Sequence, residues 1–104
     1  MIKHIVLLDL PAGHDSAELG AIMTGLDDLR GRIPGFTGFE HGPNRDFEGM
    51  SPRCAYSFLC HFEDETTSRA YLVHPTHIDL GQRLAALCKG GAAGITVVDM
   101  AVSA

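Results

Sequence analysis

Six histidines stand among the 104 residues, and two of them flank a proline in the run Tyr71-Leu72-Val73-His74-Pro75-Thr76-His77. Imidazole and phenol side by side can move protons near neutral pH, because small environmental shifts carry an imidazole pKa across that range. Tyr71 and His74 are three residues apart and would share one helix face. His77 opens an apolar stripe continued by Leu80, Leu84 and Leu87, which turns it inward. His4, on a strand, and the aromatic pair Tyr56 and Phe58 complete a set able to line a pocket between helices and sheet. The chemistry such a set suits is proton transfer next to a carbonyl. His77 would be the base and Tyr71 the donor to the enolate oxygen, with Tyr56 and Phe58 holding substrate. The competing expectation is structural: His4 as a hydrogen-bonded core residue, and Tyr71 and His77 as a tie across the bend at Pro75. His74, just before Pro75, should spend its polar groups on neighbouring backbone.

Other chemistry finds less support. His74-x-x-His77 has helical ligand spacing, but Pro75 bends the segment and no acidic ligand stands nearby in sequence, so no metal is expected. His14 and His41 have no visible partner. The sequence has no phosphate-binding loop, dinucleotide fingerprint or Gly-x-Ser-x-Gly elbow, so no cofactor is expected. The run Gly90 to Gly94 is a connector, since no helix follows it.

The net charge is −5, and the eight basic residues are scattered. Nothing there could neutralise a row of phosphates, which argues against nucleic acid, and an acidic surface argues against anionic membranes. No apolar run approaches the ~20 residues of a membrane span, and the N-terminus starts on a strand pattern rather than a signal peptide. Cys54 and Cys60 would lie about 20 Å apart on one strand, too far for a disulfide, so reduced thiols in a cytoplasmic protein are expected.

The elements that must position these groups follow from periodicity and breakers. Residues 2–9 read as a first strand. Asp15 and Glu18 resemble a capping box opening an amphipathic helix over 16–33, which Pro34-Gly35 ends. A second strand covers 36–42, a long loop 43–53 and a third strand 54–62. Asp64 caps a helix over 65–74, Pro75 starts another reaching about residue 89, and the last strand covers 95–102. The result is a single α+β domain of β-α-β-β-α-β order, ferredoxin-like, with its second helical region bent at Pro75.

Helices cover one sheet face only, so the other should turn polar if water covers it. It does not. Ile2, Val6 and Leu8 oppose Ile5 and Leu7 on the first strand. Tyr56, Phe58, Cys60 and Phe62 oppose Ser57 and Leu59 on the third. Val98 and Met100 oppose Ile95 and Val97 on the last. A large wet apolar face is unusual for a monomer, and a homodimer packed sheet to sheet is the simplest cover.

Met1-Ile-Lys-His-Ile-Val-Leu-Leu8, Ile33-Pro34-Gly35, Tyr71-x-x-His74-Pro75-x-His77 and Val97-Val98-Asp99 together resemble the stress-responsive dimeric α/β-barrel (Dabb) domain, in order and over nearly the whole chain. The resemblance implies a homodimer of ferredoxin-like subunits with no built-in cofactor. The family includes stress-induced proteins of chaperone-like or structural role and plant polyketide cyclases. By motif, the cyclase positions fall on Tyr71, His77 and His4, while Tyr56 stands where the cyclases carry a histidine. Two functions are therefore in view: cofactor-free, cyclase- or lyase-like chemistry on a small carbonyl or aromatic molecule, and a non-catalytic stress or assembly role.

Overall fold

Side chains alternate between buried and half-buried along Ile2–Leu8, the period of a strand with a core on one side. In the computed structural model, which describes residues 1–103, this strand is β1, and His4, Val6 and Leu8 face the core. It lies inside a four-stranded antiparallel sheet with β2 (Phe36–Pro43), β3 (Tyr56–Phe62) and β4 (Ile95–Ala101), in the order β2-β3-β1-β4. Register sets Val6 opposite Phe58 and Val97, and His4 opposite Cys60 and Asp99. A bulge between Phe36 and Gly38 shifts the β2–β3 pairing. The third strand begins at Tyr56 rather than Cys54: the Ala55 amide still bonds to Leu8, but Cys54 turns back on Ser51.

Three helices cover one face: α1 (Ser16–Asp28), α2 (Glu65–Val73) and α3 (Pro75–Leu87). Asp15 caps α1 by accepting from the Glu18 amide, as expected, but only half of the capping box forms. The Glu18 carboxylate instead receives both Nε and Nη2 of Arg83 on α3, at 3.1 and 2.6 Å, and ties the two helices together. The expected helix over 16–33 ends at Asp28 and tightens into a 3-10 turn over Leu29–Gly31. Leu29 and Ile33 stay buried, so the apolar spacing continues through a change of helix type. The last helix likewise stops at Leu87, and a 3-10 turn over Gly91–Gly94 leads into β4.

Val6, Leu8, Phe58, Cys60 and Phe62 of the sheet meet Leu19, Ile22, Met23 and Leu26 of α1 and Leu80 and Leu84 of α3 in one core. The opposite face has no second layer. On it the row Leu59, Ile5, Val98 crosses the sheet, with Glu40 at its β2 edge, Leu7, Ser57 and Thr96 on one side of it and Lys3, His61 and Met100 on the other.

Gly35 is required by the fold. It turns the chain into β2 at φ +92°, and a Cβ there would strike the Thr67 hydroxyl and lie 2.9 Å from Glu63 Cγ. Thr67 cannot yield, because Asp64 holds both its amide and its hydroxyl. Gly35→Ala should therefore lower stability by about 1–3 kcal/mol in urea unfolding. Gly13→Ala, at φ +86° but with open space around it, should cost distinctly less.

Candidate functional site

His4, Tyr71 and His77 come from three elements and converge. The antiparallel pairing of β1 with β4 brings Asp99 opposite His4, and their Nδ1 and Oδ1 atoms lie 2.7 Å apart. A carboxylate accepts, so the imidazole donates from Nδ1, and Nε2 is its remaining ring nitrogen. Cys60, the other neighbour of His4 in register, points to the same side.

α2 lays the Tyr71 ring on this patch, with none of its surface exposed. Its ring centroid lies 5.6 Å from that of His4, 5.0 Å from Phe62, 5.5 Å from Phe36 and 4.1 Å from His77. The Cys60 thiol donates to the Tyr71 hydroxyl at 3.8 Å. Burial drives the Tyr71 pKa far above the ordinary phenol value and pushes the Cys60 thiol up to about 12. Tyr71 therefore stays a neutral donor, and Cys60 is no nucleophile.

The bend at Pro75 delivers the third group. His74 is extended, ends α2 and caps α3 by accepting the Thr76 amide on Nδ1, which is the local role expected of it. The next turn sets His77 over the Tyr71 ring, with its Nδ1 donating to the Leu72 carbonyl at 3.3 Å. Burial lowers the His77 pKa; the Leu72 hydrogen bond opposes this, while His4 and His74 add to it. Both imidazoles thus engage through Nδ1, beside a phenol held protonated.

Tyr56 and Phe58 do not join them. They lie farther along the same face of β3, where the Tyr56 hydroxyl meets His41 Nδ1 at 2.5 Å and Phe58 packs on Phe39 in the core. Three surface concavities of about 380, 490 and 580 Å³ lie at the Leu8–Thr96 end of the sheet, on its open face and beside the loop after β2. None of the three is lined by Tyr71 or His77. Among the described residues, no three His, Cys, Asp or Glu side chains gather closely enough to hold a metal ion. The sequence reading missed Asp99, the partner of His4, although a lone carboxylate in an apolar strand was a usable signal.

The model of the stress responsive A/B barrel domain matches residues 2–102. The chain belongs to this family. A dimeric ferredoxin-like protein of unknown function from Jannaschia sp. CCS1 superposes with a TM-score of 0.91 at 46% identity, over 97% of this chain and 98% of its own. The Arabidopsis thaliana protein At3g17210 gives 0.83 at 18% identity, over 100% and 97% of the two chains. A hydroxynitrile lyase from Passiflora edulis gives 0.80 at 12% identity, over 98% and 93%. These last two likenesses are of fold alone. No curated protein matches the chain.

The lowered His77 pKa has a consequence for stability. The unfolded chain takes up a proton near the ordinary value of 6.5, before folded His77 does. The contribution of neutral His77 is thus present above pH 6.5 and is lost as pH falls through its lower folded value. Thermal unfolding should show wild type losing more stability between about pH 7 and pH 5 than His77→Gln.

Proposed function

We propose that this chain forms a homodimeric α/β barrel that binds a small carbonyl-containing or aromatic molecule at His4, Tyr71 and His77 and moves a proton next to the carbonyl. The pairing that supports this is two imidazoles, each presenting Nε2, around a phenol that burial keeps protonated. His77, half-buried and held neutral, is the base; it takes a proton from the carbon beside the carbonyl. Tyr71 donates to the oxygen on which the negative charge then collects. Asp99 fixes the orientation of His4 beside the substrate, and the imidazolium of His77 returns the proton it took. Tyr71 has no exposed surface, so a ligand reaches its hydroxyl only if the α2–α3 junction moves outward. That junction carries Leu72, Val73 and Ile78 exposed on its outer side. A cytoplasmic setting accords with three unpaired thiols, Cys54, Cys60 and Cys88.

The homodimer reading rests on the open sheet face, apolar across its middle and polar at its rim, and on kinship with a dimeric protein at 46% identity. A second reading, a non-catalytic stress or assembly protein, is favoured by the complete enclosure of Tyr71.

Deuterium uptake separates the two. Small ketones, β-keto acids and aryl ketones incubated with protein in D2O should lose their α-proton NMR signals faster than in buffer. His77→Ala should slow this by roughly 10²–10⁴-fold. Absence of protein-dependent exchange, with His77→Ala costing about 1–3 kcal/mol of stability for the stranded partner groups, would leave only the structural reading.

A further inference from the structure

The loop between β2 and β3 is long, yet it is held rigidly. Asn44 Nδ2 donates to the Ser51 carbonyl, the Ser51 hydroxyl and the Cys54 carbonyl, and Asn44 Oδ1 accepts from the Asp46 amide. Asp46 Oδ1 accepts both the amide and the hydroxyl of Ser51. A turn closed by the Gly49 amide on the Asp46 carbonyl forms the tip. This frame holds two large apolar side chains out in solvent: Phe47 is 90% exposed and Met50 82%, the highest values among the exposed large hydrophobics. A loop with no partner gains nothing from ordering two such groups in water.

The position of the loop says what it meets. The concavity on the open sheet face is lined by Lys3, Ile5, Leu59 and Met100 and ends at Pro43 and Ser57. The concavity beside the loop begins at those same two residues and runs out to Phe47 and Met50. The two concavities adjoin at Pro43 and Ser57. The sheet portion of this surface is small: strands of seven residues at ~3.3 Å per residue, four abreast at ~4.8 Å, give a footprint of roughly 440 Å². A stable interface takes about 800 Å² from each partner. A buried aromatic side chain supplies about 150–250 Å² of accessible area, so Phe47, with Met50 beside it, enlarges the face a second copy can cover.

We propose that residues 44–53 are a dimerisation arm, which seats Phe47 and Met50 against a second copy of this chain. The inference rests on the homodimer reading and adds the residues that decide how tightly the copies hold. In a two-fold dimer the contact occurs twice, so each substitution is felt twice.

The test is sedimentation equilibrium across a concentration series for wild type, for Phe47→Ser/Met50→Ser and for Ile5→Lys on the sheet face. The two arm positions are so exposed that the double variant should fold as wild type does, which far-UV circular dichroism checks. Its dimer dissociation constant should rise by at least about tenfold. A wild-type dimer whose constant the double variant leaves unchanged, while Ile5→Lys raises it, would overturn the arm and keep the sheet-face dimer. A wild type that stays monomeric throughout would overturn the homodimer reading and the arm with it.

Discussion

A pleated sheet has two faces, and this chain has helices for only one of them. Every strand places side chains alternately up and down, so the pattern that buries Val6, Leu8, Phe58, Cys60 and Phe62 under α1 and α3 also raises Ile5, Leu7, Leu59, Val98 and Met100 on the far side. Those residues are too apolar to remain a wet surface and too few to fold over on themselves. In the proposed homodimer a second copy covers this face, because a two-fold operation sets an identical face against the first. The central row Leu59, Ile5, Val98, edged by Glu40 and flanked by Lys3 and His61 on one side and Ser57 and Thr96 on the other, has the arrangement of an apolar core with a polar rim.

The same register builds the histidine-tyrosine cluster. Antiparallel pairing of β1 with β4 brings Asp99 to His4 across 95 residues of sequence, and pairing with β3 sets Cys60 beside it. The helical layer adds its share through one proline. Because Pro75 ends α2 and starts α3 at once, Tyr71 and His77 leave two different helices yet stack at 4.1 Å. The cluster is enclosed on the phenol side and half-open on the imidazole side. That asymmetry sets the two groups apart: burial raises the Tyr71 phenol pKa and lowers the His77 imidazole pKa.

Much of this was legible in the sequence because it depends on near neighbours. Strand alternation, the caps at Asp15 and Asp64, the proline at the start of α3 and the use of His74 on adjacent backbone all act within a few residues. The apolar second face of the sheet was legible from the same alternation, since a strand's second face is as readable as its first. What escaped was long-range pairing. Glu18 left its own helix cap for Arg83, and His4 found Asp99; both choices depend on how elements pack. The end of α1 escaped for another reason: Leu29 and Ile33 keep apolar spacing through a tighter turn, so periodicity did not reveal the change. Tyr56 and Phe58 read as pocket-lining aromatics from residue type and strand position, and neither fixes how far along the strand the site lies. Tyr56 meets His41 instead.

The central claim is that one chain is only half of a closed barrel, and small-angle scattering tests it without any substitution. At tens of micromolar the scattering mass should be twice the 11.2 kDa of one chain, and the radius of gyration should clearly exceed the 13.5 Å of its Cα trace. Scattering that gives 11.2 kDa and a particle of single-chain dimensions across that range would contradict the account.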